Sequence, residues 1–352
     1  MFNIRSYTYL KDMKWNKEIV DFLSSIHEFK GRHDVLLQSQ NKTFERLKVT
    51  AFFDNVVYSS KLANFNLKDT RYKQLVIEGQ KAKNVIEKNI IGYKKAEQFV
   101  LKNYQNMDIT SETILKLYRI LYFYKRNTSN QFKTTSNNVT IKNEENKDIV
   151  IFRTLSPEET PNAIFNITNE YNTVLKEYKI EPLLLIPIFL LDLLCISPFK
   201  DGNGRITTLM LNLLLFKSGY QIGKYVSLEK IIENNRDKYY ESLNNASTNW
   251  YHGQNDEYAF IVYILNVILN AYKEFEDRLS IQTSDHLLSK DLVLQVILKL
   301  DADTFTKSEI LYLCPQLKRS SVENALSSLV KKKKISKVSA GRSTYYCKII
   351  NK

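Results

Sequence analysis

Residues 197–208 read Ser-Pro-Phe-Lys-Asp-Gly-Asn-Gly-Arg-Ile-Thr-Thr, and the fold turns on what this stretch is. Just before it, Leu183 to Ile196 is the most apolar run of the chain. That run is too short to span a bilayer comfortably and contains Pro187 and Asp192, so it reads as a buried core helix. Behind the stretch, Ile206, Leu209, Met210, Leu213 and Leu214 form an apolar stripe at helical spacing, with Lys217 and Gly219 as stop signals. The stretch is therefore a loop feeding a helix N-terminus. Such an end carries unpaired N–H groups and a positive dipole, which suit phosphate. Gly202 and Gly204 can adopt positive φ and let backbone approach an anion closely. Arg205 offers a forked cation for phosphate oxygens. Asp201 offers a hard oxygen ligand for magnesium, and the Asn203 amide can donate to a phosphate oxygen. The alternative is a glycine-rich capping turn. A Walker A loop is excluded, because the Lys-Ser/Thr pair is absent and a helix precedes the loop.

Outward from the loop, the texture stays helical. From Phe44 to Lys125, apolar residues fall at three- and four-residue spacing, as in Ile90, Tyr93, Ala96, Phe99 and Val100. Val139 and Ile141, then Ile149 and Ile151, alternate around a polar turn at Asn143 to Lys147, which predicts a hairpin. Helical patterning returns at Pro157 and runs to about Arg278, and Ile281 to His286 reads as a linker. Beyond it, Thr306-Lys-Ser-Glu309 and Ser320-Ser-Val-Glu323 both have the pattern of a capping box. Val322, Ala325, Leu326, Leu329 and Val330 then line one helix face. Ile335 to Val338, a turn at Ala340 to Arg342 and an extended Ser343 to Ile349 complete the order helix, helix, helix, hairpin, which predicts a winged helix. Three regions follow: a helical region at 1–125, a core carrying hairpin and loop at 126–278, and a winged helix at 281–352. The fold class is mainly α.

Composition agrees. Gly and Pro number only 9 and 6 in 352 residues, which suits long helices. The formal charge of +13 favours anionic partners. Cys195, Cys314 and Cys347 stand far apart, so neither a disulfide framework nor a zinc site is indicated; a reducing cytoplasm is the expected compartment. The first residues lack a basic stretch followed by an apolar one, so secretion through a signal peptide is not expected, and no membrane partner is expected.

The loop resembles the Fic signature, His-x-Phe-x-Asp/Glu-Gly-Asn-Gly-Arg-x-x-Arg. Phe199, Asp201, Gly202, Asn203, Gly204 and Arg205 match it in register. Asn130-Gln-Phe-Lys133 resembles the segment before that family's target-binding flap, and Arg236-Asp-Lys-Tyr239-Tyr240 its Tyr-Tyr segment beside the adenine pocket. The resemblance covers about residues 45 to 250. It implies a Fic-type helical bundle with a hairpin flap and a protein adenylyltransferase (AMPylator) activity, in which AMP passes from ATP to a target hydroxyl. It also implies roles. Asp201 would hold magnesium on the phosphates, while Lys200, Gly202, Asn203, Gly204 and Arg205 would cradle them. Phe199, Tyr239 and Tyr240 would belong to the nucleotide site, and the flap Asn137 to Arg153 would align a target by strand addition.

Three positions depart from the pattern. The signature histidine is Ser197, so the general base that takes the proton from the attacking hydroxyl is missing; that loss typically costs about 10²–10⁴-fold in rate. The other histidines, His27, His33, His252 and His286, lie far away in sequence. The closing arginine falls at Thr208. Ser59-Ser-Lys-Leu-Ala63-Asn64 resembles the family's inhibitory-helix motif, but its glutamate is Ala63. In the family that glutamate pairs with the closing arginine, and here both partners are absent together.

Residues 281–352 carry 13 Lys/Arg against 6 Asp/Glu, or 13 − 6 = +7. Lys318 and Arg319 precede the second capping pattern, Lys331 and Lys332 end that helix, and Arg342 sits at the expected wing tip. These are the positions at which a winged helix touches duplex DNA; a solvated helix end or a protein-docking module are the alternatives. Two functions therefore stand: a Fic-like ATP- and magnesium-binding protein impaired as a transferase, or a nucleotide-responsive DNA-binding regulator without transferase activity. The sequence leaves a homodimer open.

Overall fold

The computed structural model describes residues 6–37, 42–125, 131–142, 148–282, 289–300, 303–314, 317–340 and 343–349. Two hydrophobic clusters are buried separately, one built from residues 7–275 and one from residues 292–335.

The larger body is helical. After a 3-10 turn at Tyr7–Lys11 come α1 (Lys17–Leu37), α2 (Lys42–Leu62), α3 (Asp69–Val76), α4 (Val85–Asn103) and α5 (Ser111–Leu121). A hairpin follows, β1 (Asn138–Lys142) with β2 (Asp148–Arg153), and then α6 (Thr160–Glu177), α7 (Pro182–Ile196), α8 (Asn203–Lys217), α9 (Leu228–Asn234), α10 (Arg236–Ser247) and α11 (Tyr258–Gln282). The expected linker thus begins inside a helix, because α11 runs on through Ile281 and Gln282.

The apolar run behaves as its composition demands. Every residue of α7 from Leu183 to Ile196 is buried, as suits a helix without a polar face. Glu181 caps the Leu183 N–H, and Pro182 occupies the first turn, where a missing N–H is harmless. One polar residue inside this run, Asp192, accepts from Tyr7 OH and Trp250 Nε1, each at 2.6 Å. Burial pushes its carboxyl up to about 7, against those two hydrogen bonds. α4 and α5 touch closely at Gly92, where a Cβ would lie 1.9 Å from the Leu121 carbonyl oxygen.

β1 and β2 pair antiparallel, with an irregularity between Val139 and Thr140. The expected turn at Asn143 to Lys147 lies outside the described residues. Among the described residues, no helix is long and apolar enough to cross a membrane. Cys195 and Cys314 are buried and Cys347 half-buried, all three as free thiols.

The smaller body comprises α12 (Ser289–Lys299), β3 (Thr304–Thr306), α13 (Lys307–Leu313), α14 (Arg319–Lys331), β4 (Ile335–Ala340) and β5 (Ser343–Lys348), with sheet order β3-β5-β4. This is the expected helix, helix, helix, hairpin order, with one added strand, β3, that pairs with β5. The capping box at Thr306 and Glu309 is formed. The one expected at Ser320 and Glu323 is not. α14 starts one residue earlier, at Arg319, with Lys318 in the cap position and no side-chain cap. Glu323 is drawn away to Lys307 Nζ at 2.8 Å and Arg319 Nε at 3.1 Å.

Candidate functional site

The loop between α7 and α8 is shaped by its own side chains. Ser197 ends α7 in the left-handed region, at φ 47° and ψ 67°, and its hydroxyl donates to the Leu194 carbonyl at 2.8 Å. Phe199 is buried and stacks flat on Tyr118, with ring centroids 3.7 Å apart. Asn203 closes the loop: its Oδ1 accepts from the Phe199 N–H at 2.9 Å, and its Nδ2 donates to the Phe199 carbonyl at 2.7 Å. Gly202 then starts α8 in the left-handed region, at φ 79°, with no side chain capping the helix. The N–H groups of Asn203, Gly204 and Arg205 thus belong to the first turn of a 15-residue helix, where no intrahelical carbonyl reaches them.

Arg205 is 5% exposed. Its Nη2 donates to Tyr122 OH at 2.6 Å and its Nη1 to Asn89 Oδ1 at 3.2 Å. The guanidinium lies 5.1 Å from the Phe65 ring centre and 5.2 Å from that of Tyr122. Among the described residues no carboxylate comes within ion-pairing distance of it, and its Nε is buried without a hydrogen-bond partner. Asp201 reaches the same Tyr122 hydroxyl, which donates to its carboxylate. It accepts from Tyr118 OH at 3.3 Å and from Lys125 Nζ at 3.2 Å. Partial burial pulls its carboxyl upward, but the hydrogen bond from Tyr122 and the positive charges of Lys125 and Arg205 outweigh that pull and hold it below the ordinary value.

A second set of contacts fixes the base of the hairpin to this loop. Lys133 is buried, and its ammonium donates to Asn137 Oδ1 at 3.1 Å, Thr154 Oγ1 at 2.8 Å and the Ile196 carbonyl at 2.9 Å. Burial pushes its pKa down to about 8. Asn137 Nδ2 adds a bond to the Phe199 carbonyl at 2.9 Å.

These elements enclose a cavity of about 580 Å³. It gathers most of the residues singled out in the sequence: Ser197, Lys200, Asp201, Gly202, Asn203, Gly204, Arg205 and Thr208, with Tyr239 and Tyr240 from α10 and Ser59 and Ala63 from the end of α2. Phe199 lies beneath it rather than on its wall. Asn64, just past α2 at φ 59°, accepts instead from Arg236 Nη1 at 3.0 Å. Thr208 lines the cavity with its hydroxyl on the Arg205 carbonyl at 3.1 Å. No histidine lines it among the described residues. His27 contacts Tyr220 at 2.9 Å, and His33 sits among aromatic rings, where burial lowers its pKa to about 4. His286 lies outside the described residues. So does Arg342, whereas Lys318, Arg319, Lys331 and Lys332 are exposed on the smaller body.

Sequence reasoning missed Asn89, Tyr122 and Lys125, and gave Lys133 no role beyond its place in the segment before the flap. Tyr118 and Tyr122 carry only the i, i+4 signal of a core helix face, and nothing local marks Asn89.

Similarity to known proteins falls on this architecture. The model of the Fic/DOC family matches residues 108–215, from just before α5 to near the end of α8. A Fido domain-containing protein of Dictyostelium discoideum is 26% identical over 127 residues, which are 36% of this chain and 84% of that protein. A solved Fic family protein from Desulfovibrio desulfuricans aligns with a TM-score of 0.61 at 17% identity, over 97% of this chain and 98% of its own. A Fic domain-containing signaling protein from Bacteroides thetaiotaomicron aligns with a TM-score of 0.58 at 18% identity, over 74% of this chain and 96% of its own. The fold is therefore a Fic fold. The Fic/DOC match lies on the segment that builds the hairpin, the loop and α8.

Proposed function

We propose that the cavity binds ATP with magnesium, and that the chain is a Fic-like protein whose transfer of AMP to a target hydroxyl is impaired. The observation that carries this reading is Arg205: a buried guanidinium with no carboxylate partner, set beside an uncapped helix N-terminus in a cavity large enough for a nucleotide. A buried cation that no carboxylate touches directly gains from an anion that does.

In this reading the first-turn N–H groups of α8, with Arg205 and Lys200, hold the phosphates, while Tyr239 and Tyr240 flank the base. Asp201 fits magnesium brought in on phosphates, since it is ionised, half-exposed and a hard oxygen donor. The ion would neutralise phosphate charge when bound. Strands β1 and β2, anchored by Lys133 and Asn137, would present a target segment.

The impairment follows from Ser197. Its hydroxyl is occupied with the Leu194 carbonyl, and no imidazole lines the cavity among the described residues. Removal of a proton from an attacking hydroxyl then lacks a base with a pKa near neutrality. Calorimetry with ATP, ADP and AMP in magnesium tests the binding: heat and a thermal shift are expected, and neither signal at millimolar nucleotide defeats the proposal.

A DNA-binding role for the smaller body is a second reading. It rests on the exposed lysines 331–334 at the end of α14 and on the local excess of positive charge.

A further inference from the structure

Behind the cavity, α2, α4, α8 and α9 bring together two buried carboxyl groups that the reading above does not use. Glu97 of α4 is fully buried, and Glu229 of α9 is 1% exposed. Glu229 is well supplied with donors: Tyr93 OH at 2.8 Å, Asn212 Nδ2 at 2.9 Å and Ser227 OH at 3.4 Å. Glu97 has one, Asn55 Nδ2 of α2, which lies 2.9 Å from its Oε1. The remaining oxygens of that pair, Glu97 Oε2 and Asn55 Oδ1, are both buried and both without a partner.

An ionised Glu97 leaves both of those atoms as orphaned acceptors in the interior, and each carries the full desolvation penalty. One proton removes both defects. With Oε2 protonated, the carboxyl donates to Asn55 Oδ1 while Oε1 accepts from Asn55 Nδ2, and a ring of two hydrogen bonds closes. Exchanging the oxygen and nitrogen of the Asn55 amide leads to the same requirement, because its oxygen would then face Oε1.

We propose that Glu97 keeps a proton at neutral pH and, through this ring with Asn55, is the positioning residue that seats α2 against α4, while Glu229 carries the one negative charge of the pair. The number of donors on each carboxyl sets this division. Desolvation by burial raises both groups, Glu97 to about 8 and Glu229 to about 7, and the charge of Glu229 raises Glu97 further. The other ionisable groups at the junction are Asp54 and Tyr58 of α2, Lys230 of α9, which lies 3.9 Å from Asp54, and Tyr93 on the same helix as Glu97. α8 adds only the neutral Thr208 and Asn212, and neither α3 nor α5 sends a charge that acts on Glu97. Both halves of the arrangement reach the cavity. α2 supplies Ser59 to its wall and is followed there by Ala63, and Tyr93 OH lies 3.1 Å from the Thr208 hydroxyl. The inference holds whatever ligand the cavity takes.

Glu97→Gln tests it, since a glutamine amide closes the same ring without a proton. A carboxyl raised on folding contributes stability that is present below its unfolded value, near 4.5, and is lost as pH rises through about 8. Melting temperatures of the wild-type chain and Glu97→Gln should therefore be close at pH 5. They should then diverge in favour of the variant, by about 3 °C or more at pH 8.5, with no further divergence above. A gap that does not change with pH overturns the proposal. Infrared spectroscopy with isotope-labelled glutamate separates glutamate from Asp192, and comparison with Glu97→Gln separates Glu97 from Glu229. A protonated-carboxyl band that shifts with the label is expected at pH 7 and should be lost in Glu97→Gln; its absence from the wild-type chain, or its persistence in the variant, overturns the proposal independently.

Discussion

Alanine at Gly202 should destabilise the larger body by about 2.5–5 kcal/mol, whereas alanine at Gly204, two residues on, should be neutral or stabilising. Two terms act at Gly202. Its φ of 79° lies in the left-handed region, where a side chain costs about 1–2 kcal/mol. An added Cβ would also lie 2.8 Å from Tyr122 OH and 3.3 Å from Arg205 Nη2. Those two atoms are themselves bonded at 2.6 Å, so one of them must move and the bond is lost or lengthened. A hydrogen bond from a charged donor contributes about 1.5–3 kcal/mol. At Gly204 neither term applies: nothing lies within 4 Å of an added Cβ, φ is not positive, and the residue is inside α8. Alanine is favoured over glycine there by about 0.5–1 kcal/mol. Denaturant unfolding of both variants, followed by the fluorescence of buried Trp250, measures the contrast. Equal losses at the two positions, or a stable Gly202→Ala, would refute the account of the loop.

Ser197→His should raise AMP transfer from labelled ATP by about a hundredfold or more if only the base is missing, and the left-handed backbone there is one that histidine tolerates better than a branched residue. Silence from that variant while ATP still binds would move the defect to Thr208, for which Thr208→Arg in the same background is the test. Duplex DNA should bind the whole chain with an affinity that falls steeply with salt, and Lys331→Gln with Lys332→Gln should flatten the salt slope by about one per lysine. Gel shifts showing no complex at low salt would end the DNA-binding reading.

The loop between α7 and α8 was legible because each of its features is local. Two helical stripes bracket it, its glycines mark the turn, and the Thr306–Glu309 capping box is likewise a matter of four consecutive residues. What escaped the sequence is of two kinds, local bonds that compete with an expected one and contacts between distant segments. The Asn203 amide was expected to face phosphate, yet both its polar atoms hold the Phe199 backbone. Phe199 was expected at the nucleotide and packs beneath the loop on Tyr118. The second capping box failed because Glu323 has better partners in Lys307 and Arg319, and Lys307 lies 16 residues away along the chain. Neither the Arg205–Tyr122 bond nor the Glu97–Asn55 pair has any local signature, since each joins helices far apart in sequence.

These contacts change what the preserved loop residues imply. Gly202 and Asn203 are demanded by the fold itself, one by Tyr122 and a left-handed backbone, the other by the Phe199 backbone, so their presence says little about ligand binding. Arg205 differs, because among the described residues no carboxylate bonds it directly and Asp201 acts on it only across the Tyr122 hydroxyl. Its two donated bonds, to Asn89 and Tyr122, favour keeping it, while burial of a charge that no carboxylate touches opposes them, and apolar replacements of buried charges are often neutral or stabilising by about 1–4 kcal/mol. Arg205→Met should therefore keep the fold to within about 2 kcal/mol, since methionine can lie between the Phe65 and Tyr122 rings. It should weaken ATP by about ten- to a hundredfold, the equivalent of one charge-assisted hydrogen bond. Arg205→Lys, which keeps the charge but loses the fork, should fall between the two. Calorimetry and denaturant unfolding on the same samples separate the outcomes. Collapse of the fold in Arg205→Met would make the arginine a structural residue and remove the main support for nucleotide binding, and an unchanged ATP affinity in a folded variant would place the phosphates elsewhere.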